Sequence, residues 1–301
     1  NTAAAGHAAR YARYARASAT RHTGQRTAGD RPAMNPGDRM SPTDIAPLPA
    51  SEDACADALQ ASRRDLAAVF RIAAQLGLHE GTCNHFSAVV PGRPDCYLIN
   101  PFGIHFAEMR ASDLLLVDEQ GTVLEGAGEV EITAFHIHSQ IHRANPRAVC
   151  VLHTHMPHAT AITALHDGRL AMCHQNALRF HGRIAYDHDT TVGYQGLALA
   201  GEEGARMVHA LGEHSVLFLR SHGPLVIGPS IAQAFDDLYY LERAAQVQVL
   251  AASMGQPLAE VDAALAARTA ADFLRDAPRY ARAHLDAWQR MLERDDPSWR
   301  M

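Results

Sequence analysis

An α/β protein, layered as α/β or α/β/α, is what the chain predicts. Short apolar runs of strand character alternate along it with segments of helical periodicity. Turn and cap signals separate them, so helices and strands are interleaved and not segregated. The first helix spans about 53–76, where Leu59, Leu66, Val69, Phe70, Ala73 and Leu76 lie on one stripe and Gly77 can terminate it in the left-handed conformation. FSAVV (86–90) and CYLIN (96–100) read as strands around the turn sequence PGRPD. LLLVDEQGTVLEG (114–126) reads as two strands around Glu119-Gln120-Gly121. A helix follows from Glu131 to Arg143 and ends before Asn145-Pro146. AVCVLHTH (148–155) and SVLFLRSHG (215–223) are strands that run into histidines. Ser230 and Gln233 form a capping box for a helix to about Ser253, closed by Gly255 and Pro257. A last helix, Pro278 to Glu293, has Tyr280, Leu285, Trp288 and Leu292 on its apolar side.

Composition removes whole classes of function. The 301 residues are 47% hydrophobic and 20% charged, as in an ordinary globular protein, and no apolar run approaches the ~18 residues that span a bilayer. The formal charge is −6. Residues 1–40 hold Arg10, Arg13, Arg16, Arg21, Arg26, Arg31 and Arg39 against Asp30 and Asp38, so the body is more acidic than the total suggests. An acidic body excludes nucleic acid as the main partner. The chain has no lysine, which removes Schiff-base, pyridoxal phosphate and P-loop chemistry. Five scattered cysteines, Cys55, Cys83, Cys96, Cys150 and Cys173, form no CxxC and fit a reducing cytoplasm. Residues 1–50 lack apolar periodicity and read as a disordered tail, with Met34 or Met40 as alternative starts. Residues 51–276 form the main domain and 277–301 a C-terminal helix.

The chemistry concentrates in CVLHTHMPH (150–158). On a strand, His153 and His155 at i and i+2 face the same way, about 7 Å apart along it. Two imidazoles on one face suit a divalent ion, and His222 is the best third ligand: it too ends an apolar strand, and Gly223 leaves room beside it. Three histidines with open positions make a catalytic rather than a closed structural site. His158, at i+5, points away. The bland alternative is a chance HxH in a chain with 19 histidines.

From about Gly77 to Gln256 the chain resembles the class II aldolase/adducin-head family. EITAFHIHSQIHRANPRAVCVLHTH (131–155) looks like its helix–strand unit ending in a metal pair, and LRSHGPLVIG (219–228) like the strand whose His-Gly supplies a third ligand. GTCNHFS (81–87), INPFG (99–103) and ASDLLLVDEQGTVLEG (111–126) resemble the pocket loops and the hairpin that follows. The resemblance implies a three-layer α/β/α fold with a central, mostly antiparallel sheet. It implies a divalent ion, Zn2+ with Mn2+ or Fe2+ as alternatives, on His153, His155 and His222. It implies a small-molecule substrate bound near Asn84, His85, Ser87, Asn100 and Gly103, in a homotetramer whose subunits share the site.

The chain departs from the family's sugar-phosphate aldolases where they carry a catalytic Glu: aligning the helix histidine to His138 puts Ala134 there. Glu131, on the same helix face, is the stand-in acid/base, against a plain first-turn role beside the helix dipole. His138 reads as a group near the metal, and His136 and His142 as outer or core-edge residues. Phe102 replaces a phosphate-binding hydroxyl, which points to a carboxylate or aromatic acid. Tyr186 and Tyr194 flank a polar loop and are candidate proton donors. The expected reaction is metal-assisted aldol cleavage or decarboxylation. A three-His Fe2+ oxygenase and an adducin-like binding protein are the alternatives.

Overall fold

The structure, a computed structural model, describes residues 52–187 and 201–301. The N-terminal tail reading and Tyr194 lie outside them. In chain order the elements are α1 (Glu52–Gln75), β1 (His85–Val90), β2 (Arg93–Ile99), β3 (Leu115–Asp118), β4 (Val123–Glu125), α2 (Ile132–Ala144), β5 (Cys150–His153), α3 (Pro157–Thr163), α4 (Gln175–Leu178), β6 (Ile184–Tyr186), α5 (Gly201–Leu211), β7 (Val216–Leu219), β8 (Gly223–Gly228), α6 (Ile231–Ser253), α7 (Ala263–Arg275) and α8 (Ala277–Asp295).

The eight strands form one sheet in the order β4-β3-β2-β1-β5-β8-β7-β6. Among the described residues only the β6–β7 pair is parallel, so the sheet is mostly antiparallel as the family resemblance implies. Strand alternation sorts the side chains into layers. Phe86 and Ala88 of β1, Leu98 of β2, Cys150 and Leu152 of β5 and Phe218 of β7 face the larger core, beneath α1, α3, α6 and α8. The opposite face carries two smaller apolar clusters. Val151, Leu217, Leu225 and Ile227 pack under α2 and α5, while Tyr97, Ile99, Leu115 and Val117 gather around Ala134 of α2. The fold is therefore α/β/α. Between those two clusters on the α2 face, β1 contributes His85 and Ser87 in place of apolar residues.

Both histidine-bearing strands are shorter than the sequence suggests. Strand β5 stops at His153, so His155 lies beyond its end. The run 215–223 is not one strand: β7 ends at Leu219, Ser221 takes a left-handed φ of 57°, and Gly223 starts β8. Leu219 pairs with Gly223, and the His222 N–H donates to the Leu219 carbonyl, closing a tight hairpin. Apolar runs flank the turn on both sides, Val216–Leu219 before it and Leu225–Ile227 after it, which hides the reversal from sequence. Helix α2 starts at Ile132, with Glu131 as its N-cap and not in its first turn.

Phe70 of α1 anchors the larger core. It is fully buried, stacks on Phe86 with centroids 4.8 Å apart and meets the edge of Phe106 at 4.6 Å. Phe70→Ala is expected to lower stability by about 3–5 kcal/mol in urea unfolding, the usual range for emptying a buried aromatic site. A loss under about 1 kcal/mol would mean that this cluster is not close-packed.

Candidate metal centre

The end of β5 and the β7–β8 hairpin bring three imidazoles together. Each of His153, His155 and His222 offers one ring nitrogen, and the three atoms lie within 4.8 Å of one another. The ring centroids are 5.2 Å apart for His153–His155, 4.7 Å for His153–His222 and 4.9 Å for His155–His222. The pair does not share one strand face, as the i, i+2 argument expects. His153 closes β5, and His155 follows just beyond its end. Convergence depends on Gly223: a Cβ there would lie 2.6 Å from the Thr154 carbonyl oxygen and 3.2 Å from the His155 ring.

Two of the rings are held by the nitrogen that faces away. Nδ1 of His153 lies 3.1 Å from the Pro224 carbonyl, which only accepts, so this nitrogen carries the hydrogen and Nε2 keeps its lone pair. Nδ1 of His155 lies 2.6 Å from a Glu80 carboxylate oxygen, while its Nε2 is buried with no hydrogen-bond partner. A carboxylate or carbonyl behind the imidazole is the usual support of a metal-ligating histidine. Burial, then the neighbouring rings His222, His85, His155 and His138, hold His153 well below the ordinary histidine pKa. Burial, then His155, lowers His222 to about 4. The lowered pKa values of His153 and His222 and the partnerless buried Nε2 of His155 fit a divalent cation. An all-imidazole donor set suits Zn2+ or Fe2+.

The remaining sequence-derived residues divide into those beside the cluster and those behind it. His85 stands opposite His153 across the β1–β5 pair, with ring centroids 5.3 Å apart. His138 is behind it, its Nε2 3.0 Å from His85 Nδ1. Ser87 is fully buried, its hydroxyl 2.6 Å from His138 Nδ1 and 2.6 Å from His142 Nε2. His142 is accordingly buried and stacked on Tyr97, not a core-edge residue. Asn84 Oδ1 accepts from the Glu80 N–H at 2.7 Å and the His155 N–H at 3.5 Å. Asn100 accepts from the Phe86 N–H at 3.2 Å and donates to the Asn84 carbonyl at 3.4 Å, locking the loop. Gly103 turns the next loop at φ 84°, beside a largely exposed Phe102. Glu131 accepts from the Ala134 N–H at 2.8 Å and from the Thr133 hydroxyl. Burial raises its pKa, but these bonds outweigh that and lower it. His158 is bound to Glu242, and the Tyr186 hydroxyl accepts from the Leu170 N–H. Glu80 escapes sequence reasoning. Its only signal is an acidic residue four positions before Asn84 in the pocket loop.

Comparison with known proteins places this geometry in a family. The sequence matches the Class II Aldolase and Adducin N-terminal domain over residues 64–249, more than half its length, and the chain belongs to that family. An aldolase II superfamily protein from Pseudomonas syringae is 35% identical, with a TM-score of 0.73 over 81% of this chain and 96% of that one. An L-fuculose 1-phosphate aldolase from Glaciozyma antarctica PI12 is 26% identical, with a TM-score of 0.73 over 85% and 97% of the two chains. Decarboxylase NovR of Streptomyces niveus is 31% identical over 193 residues, 64% of this chain and 70% of that protein. A 4-hydroxy-3-prenylphenylpyruvate oxygenase/4-hydroxy-3-prenylbenzoate synthase of Streptomyces roseochromogenus is also 31% identical, over 63% of this chain and 67% of its own length. No helix of the described residues is long and apolar enough to cross a membrane.

Gly223→Ala is expected to cost about 1–3 kcal/mol through overpacking and to lower bound metal, measured by urea unfolding and elemental analysis. Wild-type values in both would contradict the close-approach argument. The buried histidines also set a pH dependence. Burial, offset in part by the Ala148 hydrogen bond, holds His142 at about 4, and burial holds His138 well below its ordinary value. The unfolded chain takes up these protons near pH 6.5. Their contribution is thus fully present above about pH 6.5 and is lost as pH falls toward about 4. The urea midpoint of chelator-treated protein should fall across that window; a flat profile would refute neutral burial.

Proposed function

We propose that the chain is a metal-dependent carbon–carbon lyase acting on a small hydroxy/keto or carboxylate substrate, by aldol cleavage or decarboxylation. The observation that carries this reading is the convergence of His153, His155 and His222 within 4.8 Å. A divalent cation bound there, Zn2+ or alternatively Mn2+ or Fe2+, supplies positive charge against the oxygen that becomes negative when the bond beside a carbonyl breaks. His153, His155 and His222 hold it, and Glu80 orients His155. Asn84 and Asn100 keep the pocket loop against β1, and Gly103 turns the loop that presents Phe102 to the substrate.

The acid/base side separates the two reactions. Ala134 packs with Tyr97, Ile99, Leu115 and Val117, so no base stands where sugar-phosphate aldolases carry theirs. Glu131 lies close enough to interact electrostatically with His85 while capping α2, and its charge is its contribution to the site. Decarboxylation needs no base to begin, and the similarity to a decarboxylase supports it. The same family pattern supports a homotetramer and a cytoplasmic location.

A second reading, a three-His Fe2+ oxygenase, is favoured by the similarity to a relative named as an oxygenase. Elemental analysis of purified protein separates the two: Zn or Mn supports the lyase, and Fe together with substrate-dependent O2 uptake supports the oxygenase. Screening hydroxy-keto acids and aromatic carboxylates against metal-loaded protein identifies the reaction. His155→Ala is expected to abolish both bound metal and turnover; turnover that survives without metal would refute the mechanism. Glu80→Gln is expected to weaken metal affinity by roughly 10–100-fold, the usual cost of losing a ligand's supporting partner. Unchanged affinity in a chelator competition would remove Glu80 from the site.

A further inference from the structure

A file of hydrogen-bonded groups runs through the α2 face and ends beside the metal-ligating rings. Nδ1 of His142 lies 2.5 Å from the Ala148 carbonyl oxygen. Nε2 of His142 lies 2.6 Å from Ser87 Oγ, and the same oxygen lies 2.6 Å from His138 Nδ1. Nε2 of His138 lies 3.0 Å from His85 Nδ1. All four side chains are buried. His85 is the end of the file, facing His153 across the strand pair. Its Nε2 has no hydrogen-bond partner among the described residues.

The carbonyl end determines the position of every hydrogen. A carbonyl oxygen only accepts, so His142 carries its hydrogen on Nδ1. A neutral imidazole has one N–H, so Nε2 of His142 is a bare lone pair. The single Ser87 hydrogen is directed to that lone pair, and Ser87 Oγ is left to accept from its other neighbour. His138 therefore carries its hydrogen on Nδ1 and has a bare Nε2, to which His85 donates from Nδ1. We infer that the Ala148 carbonyl, acting through His142, Ser87 and His138, locks His85 in the Nδ1–H tautomer and gives the site a fixed hydrogen-bond acceptor, Nε2 of His85, next to the three ligating histidines.

Neutrality of the file is consistent with burial, the main cause that lowers His85 and His142 to about 4 and holds His138 well below its ordinary value. Ser87, His138 and His142 are positioning residues, since none of them reaches the cluster. An acceptor at this point selects a substrate group that donates, a hydroxyl or N–H. It rejects a phosphate or carboxylate oxygen, which has no hydrogen to offer. That use of the acceptor rests on reading the cluster as a substrate-binding metal centre; the tautomer itself does not.

The test is nitrogen-15 NMR of histidine-labelled protein, both zinc-loaded and chelator-treated, with resonances assigned through single His→Gln variants. His85, His138 and His142 are expected as Nδ1–H tautomers in both samples, whereas the Nε2–H form is the commoner one in water. Ser87→Ala should leave His142 unchanged and move His138 and His85 toward the Nε2–H form. Ser87→Thr, which keeps the hydroxyl, should restore the wild-type pattern. His85 in the Nε2–H form in the wild-type protein overturns the proposal whether or not the variants fold. An unaltered His85 in folded Ser87→Ala overturns it too. Failure to take up zinc would undermine the metal reading while leaving the tautomer result intact.

Discussion

Everything at the site depends on how closely the first residue of β8 approaches the chain beyond β5. With no side chain at Gly223, its backbone sits where any Cβ would lie 2.6 Å from the Thr154 carbonyl. That approach brings the tip of one hairpin against the end of the neighbouring strand. His222 is thereby held against His153 and His155, although 69 residues separate His153 from His222. The sheet makes this possible: β5 and β8 are paired, with His153 in register with Leu225, so the strands fix the approach and the turn adds only the last ring.

The second constraint is electrostatic. The sheet buries five polar side chains on its α2 face, His85, Ser87, His138, His142 and His153, each of which would be costly if left unsatisfied. They are tolerated because His85, His138, Ser87 and His142 are bonded in sequence to the Ala148 carbonyl, while His153 is bonded separately to the Pro224 carbonyl. A hydrogen-bonded buried network rigidifies its surroundings. Here it lies between the two apolar clusters of that face, at the His85 end of β1. Ala134 belongs to the same arrangement: its small methyl packs in the apolar cluster, and the buried histidines of α2 stand one and two turns further along.

Much of this was legible in the chain. The interleaved elements, the HxH pair, His222 with its following glycine and the unusual Ala134 could all be read from short-range patterns, because period and turn chemistry are local. Three features were not. The reversal at Arg220–His222 is hidden because apolar residues flank it on both sides and Ser221 adopts a positive φ that its residue type does not announce. Glu80 stands behind His155 only because the loop folds back through Asn84. Ser87 looks like a pocket-loop hydroxyl, yet strand pairing turns it inward between two imidazoles. The last two depend on long-range contacts that no window of sequence contains. The family match, over residues 64–249, covers all the residues of the cluster.

The central claim is that three imidazoles, two of them held from behind by Glu80 and the Pro224 carbonyl, coordinate one divalent ion. X-ray absorption spectroscopy at the edge of the co-purifying metal tests it most directly. The account predicts one ion per chain with three imidazoles in its coordination shell. An ion whose shell contains no imidazole, or protein that remains metal-free after reconstitution with Zn2+, Mn2+ and Fe2+, would contradict it.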